Sequence, residues 1–198
     1  MDYFKHKADD YEKDKNRVAN VSNIASAVLK AVTLKKSMHI MDFGSGTGLL
    51  LEKIAPFVEK ITAVDISSSM NAQLRDKRDQ LPCELDIQEI DLTKKTIDEK
   101  FDGIISSMTM HHIEDTETML VKLYDMLNDN GYIAIADLDK EDGGFHSEDT
   151  GVFHFGFDRQ EIVSAAKNAG FKKIKIKTAS TIEKPQGMYT VFLLTATT

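Results

Sequence analysis

The sequence is short of several things, and each shortage removes a class of protein. One cysteine in 198 residues, Cys83, excludes a disulfide framework and any zinc site built on cysteine. No apolar run approaches the roughly 18 residues of a membrane span. Basic residues are outnumbered, 25 against 32 acidic for a net charge of −7, which argues against a protein that lives on phosphate backbones. The opening stretch MDYFKHKADDYEKDK has no apolar signal-peptide core. Internal repeats, low-complexity tracts and linkers are also missing. What is there is 41% hydrophobic residues spread along the chain, enough to bury a core without disulfides or metal. The expectation is one cytoplasmic domain spanning 1–198, a monomer or homodimer, with no nucleic-acid partner, no membrane span and no metal.

From about residue 36 onward, short apolar runs alternate with helical patterns. MHIMDF (38–43), KITAVD (60–65), ELDIQEID (84–91), FDGIISSM (101–108) and YIAIADL (132–138) read as strands. Between them lie a helix through LLLEKIA stopped by Pro56, one starting at the serines of 67–69, and one carrying Ile113, Leu120, Leu123 and Leu127, closed by Asn130-Gly131. Asp158 and Glu161 form a capping-box pattern before a further helix that Gly170 ends. Such alternation implies βαβ units and a parallel sheet. The last two strands, KKIKIK (172–177) and MYTVFLLTAT (188–197), have no helix between them, so they form a hairpin and the final strand runs antiparallel. Its nearly continuous apolar run predicts a place inside the sheet, and Lys172, Lys173, Lys175 and Lys177 predict an exposed edge for its partner. Before the sheet, Phe4, Ala8 and Tyr11 share one face and Val18, Val21, Ile24, Val28 and Val32 another.

Chemistry is signalled first by Asp42-Phe-Gly44-Ser45-Gly46-Thr-Gly48, where the first strand turns into a helix. Glycines there allow positive φ and close approach of a ligand to backbone N–H groups. A dinucleotide fingerprint needs a sixth-place glycine counted from Gly44, but that place holds Leu49, and the P-loop lysine is absent. Asp42 instead puts a carboxylate at the mouth of the loop, which suits a ligand with cationic groups. Asp65 ends the second strand, where a carboxylate can take ribose hydroxyls, and Asp91 ends the third beside Leu92, where it can accept from an exocyclic amine. All three acids fall at carboxyl ends of adjacent parallel strands, the crevice where open α/β sheets bind ligands.

These segments resemble the class I S-adenosylmethionine-dependent methyltransferases, especially the small enzymes of ubiquinone and menaquinone biosynthesis. MDFGSGTG, AVDIS, IDL, FDGIISSMTMHHI, LNDNGYIAIADL and FDRQEIVSAAKNAGF carry the resemblance, over nearly the whole chain. It implies a Rossmann-like seven-stranded α/β sheet of order 3-2-1-4-5-7-6, strand 7 antiparallel, with helices on both faces and an N-terminal helical lid over 1–35. It also implies that S-adenosylmethionine is the cofactor and S-adenosylhomocysteine the product. By resemblance, Asp42, Gly44, Ser45, Gly46 and Gly48 hold the methionine moiety, Asp65 the ribose, and Asp91 and Leu92 the adenine. Ile66 and Met70 would flank the adenine, and Ser107 would lie near the sulfonium.

The acceptor is expected to be a small molecule, methylated on O, N, S or C by in-line displacement. Candidates for chemistry are His111 and His112 after strand four, and Tyr11 on the cover segment. The 139–157 loop, with Phe145, His146, Phe153 and His154, predicts an acceptor pocket together with Tyr11 and His112. Asp137 to Glu148 resembles a calcium loop only loosely, because its sixth position is Asp142 and not glycine. Cys83 follows Pro82 with no histidine partner, which argues against a nucleophilic role. Two alternatives stay open: a non-catalytic cofactor-binding or regulatory protein of the same fold, and a nucleotide-dependent oxidoreductase.

Overall fold

The computed structural model describes residues 8–146 and 150–198; Phe4 lies outside the described residues. Its seven strands are β1 (His39–Phe43), β2 (Lys60–Asp65), β3 (Glu84–Glu89), β4 (Phe101–Ser107), β5 (Leu127–Leu138), β6 (Lys172–Lys184) and β7 (Gly187–Thr197). They form one sheet of order β3-β2-β1-β4-β5-β7-β6, parallel except for β7, which runs antiparallel to both neighbours. The sheet order and the terminal hairpin therefore match the expectation, and the four lysines of β6 are exposed along its edge.

The period of two along each strand sorts the core into two layers. Ile40, Ile105, Ala134 and Leu193 face α1 (Lys15–Ala31), α2 (Leu49–Ile54) and Leu74 of α3 (Ser68–Lys77). Met41, Ile104, Ile133 and Leu194 face α4 (Thr116–Asp125) and α5 (Arg159–Asn168) on the opposite side. Caps begin the helices as their residue types suggest: the Ser67 hydroxyl accepts from the Met70 N–H, and Asp158 accepts from those of Gln160 and Glu161. No described helix is long and apolar enough to cross a membrane.

Four boundaries differ from the sequence reading. The helix with Leu120 and Leu123 starts at Thr116, because Asp115 caps it by accepting from the Thr118 N–H at 2.9 Å. Met110–His112 before it is a 3-10 turn, and the chain rejoins the sheet at Leu127, opposite Phe101. Second, β3 ends at Glu89, so Asp91 sits two residues beyond it. Third, β6 continues to Lys184, paired with Gly187 across Pro185-Gln186, after register shifts near Lys173 and Ala179.

The fourth concerns the expected lid over 1–35. Helix α1 is a core element: Val21, Ile24, Ala25 and Val28 are buried beneath it, while Val18 is 37% exposed. A helix with an apolar stripe of that width gains more from burial against α2 and the sheet than from covering a crevice. Among the described residues of that stretch, only the 3-10 turn Ala8–Lys13, carrying Tyr11, lines the cavity at the carboxyl end of the sheet.

Packing between β4 and β5 leaves no room at Gly103, which registers opposite Tyr132. A Cβ there would stand 2.3 Å from the tyrosine ring. Gly103→Ala is accordingly expected to cost about 1–3 kcal/mol of stability, the usual price of overpacking, as a lowered urea midpoint with an unchanged m-value.

Candidate active site

The loop after β1 lies unusually close to the next strands. The N–H groups of Gly44 and Ser45 both donate to the Val64 carbonyl, at 2.8 and 3.2 Å. A Cβ on Gly44 (φ +72°) would be 2.2 Å from the Thr109 hydroxyl oxygen, so only glycine fits. Gly46 (φ +54°) differs, because a Cβ there would meet nothing within 4 Å among the described residues. Its open side faces the cavity, where the backbone is accessible to a ligand. Gly48 then leads into α2.

The three acids have distinct surroundings. Asp65 ties the loop to the next helix: its carboxylate accepts the N–H of Gly46 and that of Ser67, each at 2.8 Å. Asp91 accepts from the Thr93 N–H at 3.0 Å and from Lys94 at 2.7 Å. Burial pushes its carboxyl upward, but the hydrogen bonds from Lys94 and Thr93 outweigh this and hold it below the usual carboxylate range. Asp42, expected at the mouth of the loop, instead sits beneath it, 2% exposed and outside the cavity lining, its Oδ2 without a hydrogen-bond partner among the described residues. Burial, with a smaller contribution from the Asp65 charge, pushes its carboxyl up to about 8.

Above these groups lies a cavity of about 800 Å³. Asp65, Ile66 and Met70 line it from the β2 end, Ile90, Asp91 and Leu92 from the β3 end, and Ser107, Met108 and Thr109 from the β4 end. Tyr11, His112, Thr150, Gly151 and Phe153 also line it, as do Glu114 and Asp115 just before α4 and Lys122 within it. Ile66 and Phe153 present exposed apolar surface, 61% and 57%. The hydroxyls of Ser45 and Ser107 are buried without hydrogen-bond partners among the described residues. Met108 holds φ +57°, a conformation uncommon for a side-chain-bearing residue and concentrated at functional sites. Arg17 lies 4.0 Å above the Tyr11 ring and donates to the Tyr11 carbonyl at 2.6 Å, and burial raises the Tyr11 hydroxyl.

The histidines part company. His112 is in the cavity wall, and its Nδ1 is 3.2 Å from the Gly151 carbonyl. Since a carbonyl only accepts, Nδ1 carries the proton and the neutral ring has its lone pair on Nε2. Burial, then the neighbouring His111, push its pKa down to about 4. His111, expected to face the same site, is 1% exposed and lies outside the cavity lining, packed against the His112 ring at 4.3 Å with its Nδ1 bonded to Asp137 at 2.6 Å.

Of the expected acceptor residues in the 139–157 loop, Phe153 reaches the cavity and three stand back. His154 bonds the carbonyls of Ile113 and Glu114 at 2.9 and 3.2 Å. Phe145 is buried between His146 and Tyr189, with Lys184 over its ring. The His146 ring lies 5.2 Å from that of His111, and burial pushes its pKa to about 4. Asp137, Met108, Thr109 and Thr150 were not singled out from sequence as site residues. Only Asp137 left a signal, as a polar residue ending the apolar run IAIAD. Of the loose calcium pattern, Asp137 is taken by His111 and Asp139 by a two-pronged bond from Arg159 at 2.6 and 2.7 Å, while Glu148 lies outside the described residues. No group of three metal-ligating side chains converges among the described residues.

Comparison with known proteins supports a common reading. Residues 15–176 match the family model described as a methyltransferase domain. An uncharacterised methyltransferase of Schizosaccharomyces pombe is 30% identical over 159 residues, covering 72% of this chain and 56% of that protein. The chain thus spans little more than half of that relative's length. Among solved structures, the complex between the Haloferax volcanii Trm112 methyltransferase activator and its methyltransferase contains a chain that superposes with a TM-score of 0.78 at 16% identity, over 100% of this chain and 98% of that one. The 1,6-didemethyltoxoflavin-N1-methyltransferase of Burkholderia thailandensis, solved with its bound 1,6-didemethyltoxoflavin and S-adenosylhomocysteine, gives 0.75 at 16% identity, over 98% and 83%. At such identities the likeness is one of fold.

Asp42 also makes stability depend on pH. Its folded-state pKa of about 8 lies above the ordinary carboxyl value of 3.8, so the folded state holds a proton that the unfolded state releases. Stability from this group is full below the ordinary value and is lost as pH rises through the folded one, by up to about 1.4 kcal/mol per pH unit. Asp42→Asn should flatten that decline, checked by chemical denaturation of both proteins between pH 5 and pH 8.

Proposed function

This chain belongs to the class I S-adenosylmethionine-dependent methyltransferases, and from that membership we propose that it transfers a methyl group to a small-molecule acceptor held beside His112. The observation that carries the proposal is the cavity itself: a glycine loop with one open side at Gly46, flanked by the carboxylates of Asp65 and Asp91.

The donor set fits S-adenosylmethionine. Asp42 and the 44–48 loop, including Ser45, suit the methionine moiety, since a buried carboxyl with an unpartnered oxygen gains most from a cationic amine. Asp65 suits the ribose hydroxyls. Asp91, with the apolar surfaces of Ile66, Met70 and Leu92, suits the adenine, and Ser107 the neighbourhood of the sulfonium. When bound, this group supplies a methyl on a good leaving group, so the protein's own task is alignment and exclusion of water, worth roughly 7–11 kcal/mol when fully realised.

On the acceptor side, Tyr11 covers the cavity and Phe153 offers a ring face, which supports an aromatic or otherwise apolar acceptor. His112, neutral at pH 7, orients an O–H or N–H through the lone pair on Nε2. A ring with a pKa of about 4 is a weak base. It takes the acceptor's proton only as the bond to carbon forms and that proton becomes strongly acidic. His146, His154 and Phe145 support the loop from behind.

Calorimetric titration with S-adenosylhomocysteine tests the cofactor half without an acceptor. Micromolar binding, on the order of −8 kcal/mol, is expected. Proton release near pH 7 should accompany it, since Asp42 must ionise to meet an amine, and Asp42→Asn should abolish that release. Asp65→Ala should lose about 10- to 100-fold in affinity, as removal of a charged hydrogen-bond acceptor does, while unfolding cooperatively. No binding by the unaltered protein would sink the proposal, and unchanged affinity in Asp65→Ala the ribose assignment.

A further inference from the structure

Two fully buried polar groups have no part in that reading. Asp137 and His111 are 0% and 1% exposed, and the His111 Nδ1–H donates to the Asp137 carboxylate at 2.6 Å. The same carboxylate accepts the backbone N–H groups of His111, at 3.2 Å, and of Leu138, at 2.7 Å. Burying such a pair is a poor way to gain stability, since apolar residues of similar volume often do as well or better. Its position offers another explanation.

The His111 carbonyl accepts the N–H groups of Phe153 and His154, at 2.9 and 3.2 Å. The His111 ring lies 4.3 Å from that of His112, whose Nδ1–H points to the Gly151 carbonyl. His154 bonds back to the Ile113 carbonyl at 2.9 Å. A continuous set of hydrogen bonds therefore runs from the end of β5, through the 110–113 turn, to the segment 151–154. It ends on the two pieces of chain that present His112, Gly151 and Phe153 to the cavity.

We infer that Asp137 is a positioning residue: acting through His111, it locks the 110–113 turn to segment 151–154 and so sets the tautomer and direction of the His112 ring. The inference rests on the methyltransferase reading only in treating that ring as part of an active site. Carboxylate and carbonyl oxygens accept and never donate, so Asp137 dictates Nδ1–H on His111 and Gly151 dictates Nδ1–H on His112. Asn at 137 keeps the shape but turns one oxygen into an NH₂, which would then face an N–H.

Nitrogen-15 spectra of histidine-labelled protein at pH 7, with S-adenosylhomocysteine titrations alongside, test this. In the unaltered protein both rings should carry the proton on Nδ1, and the His111 Nδ1 proton should resonate far downfield. In Asp137→Asn the downfield proton should vanish, the His112 tautomer become mixed, and the amide signals of Gly151, Phe153 and His154 move. S-adenosylhomocysteine affinity should change by less than about threefold, or ~0.6 kcal/mol. A folded variant with unchanged His112 and loop signals overturns the inference. Should the variant not fold, the unaltered protein decides alone: a proton on Nε2 of His112, or no downfield His111 proton, overturns it. Intact signatures without cofactor binding would instead uphold the lock and remove the methyltransferase reading.

Discussion

The site is built on one steric constraint, the close approach of the loop after β1 to the ends of β2 and β4. At Gly44 the backbone passes so near Thr109 that no side chain fits, and two successive N–H groups converge on the Val64 carbonyl. That contact turns the next glycine outward. Gly46 then has open space on one side and the Asp65 carboxylate on its N–H. The cavity wall, the anchoring of Asp65 and the start of α2 all follow from a turn that a Cβ at position 44 would block.

Desolvation is the second organising influence, and it acts in opposite directions on acid and base. Burial raises Asp42 to about 8 and lowers His112 and His146 to about 4, so all three favour their neutral forms at pH 7. Asp91, at the cavity's edge, keeps its charge because Lys94 and Thr93 donate to it. The carboxyl beneath the loop and the imidazole in the cavity wall are thus both held uncharged by their surroundings.

The strand pattern, the terminal hairpin, the glycine loop and the acids at the ends of β1 and β2 were all legible in the residues, because each is a local matter of period, capping or backbone freedom. Ile40 and Met41 fall into opposite core layers by simple alternation. The role of α1 was less legible. Its stripe of Val21, Ile24 and Val28 is the same whether it covers a crevice or fills a core, and only its neighbours α2 and β6 decide. The start of α4 was misplaced because Ile113 has helical spacing but lies before the Asp115 cap.

His111 and His112 mark the limit most clearly. As sequence they are an adjacent, chemically identical pair. In the fold, one is claimed by Asp137, 26 residues away, and the other by Gly151, 39 residues away. By itself the sequence determined the sheet, its direction changes and the place of the glycine loop, since those follow from short-range pattern. The tertiary structure alone decided which histidine meets the cavity, which aromatics of the 139–157 loop line it, and that Asp137 stands behind them. Those outcomes depend on which buried donor finds which acceptor across long stretches of chain, and a hydrogen bond of that kind leaves no periodic trace in the sequence.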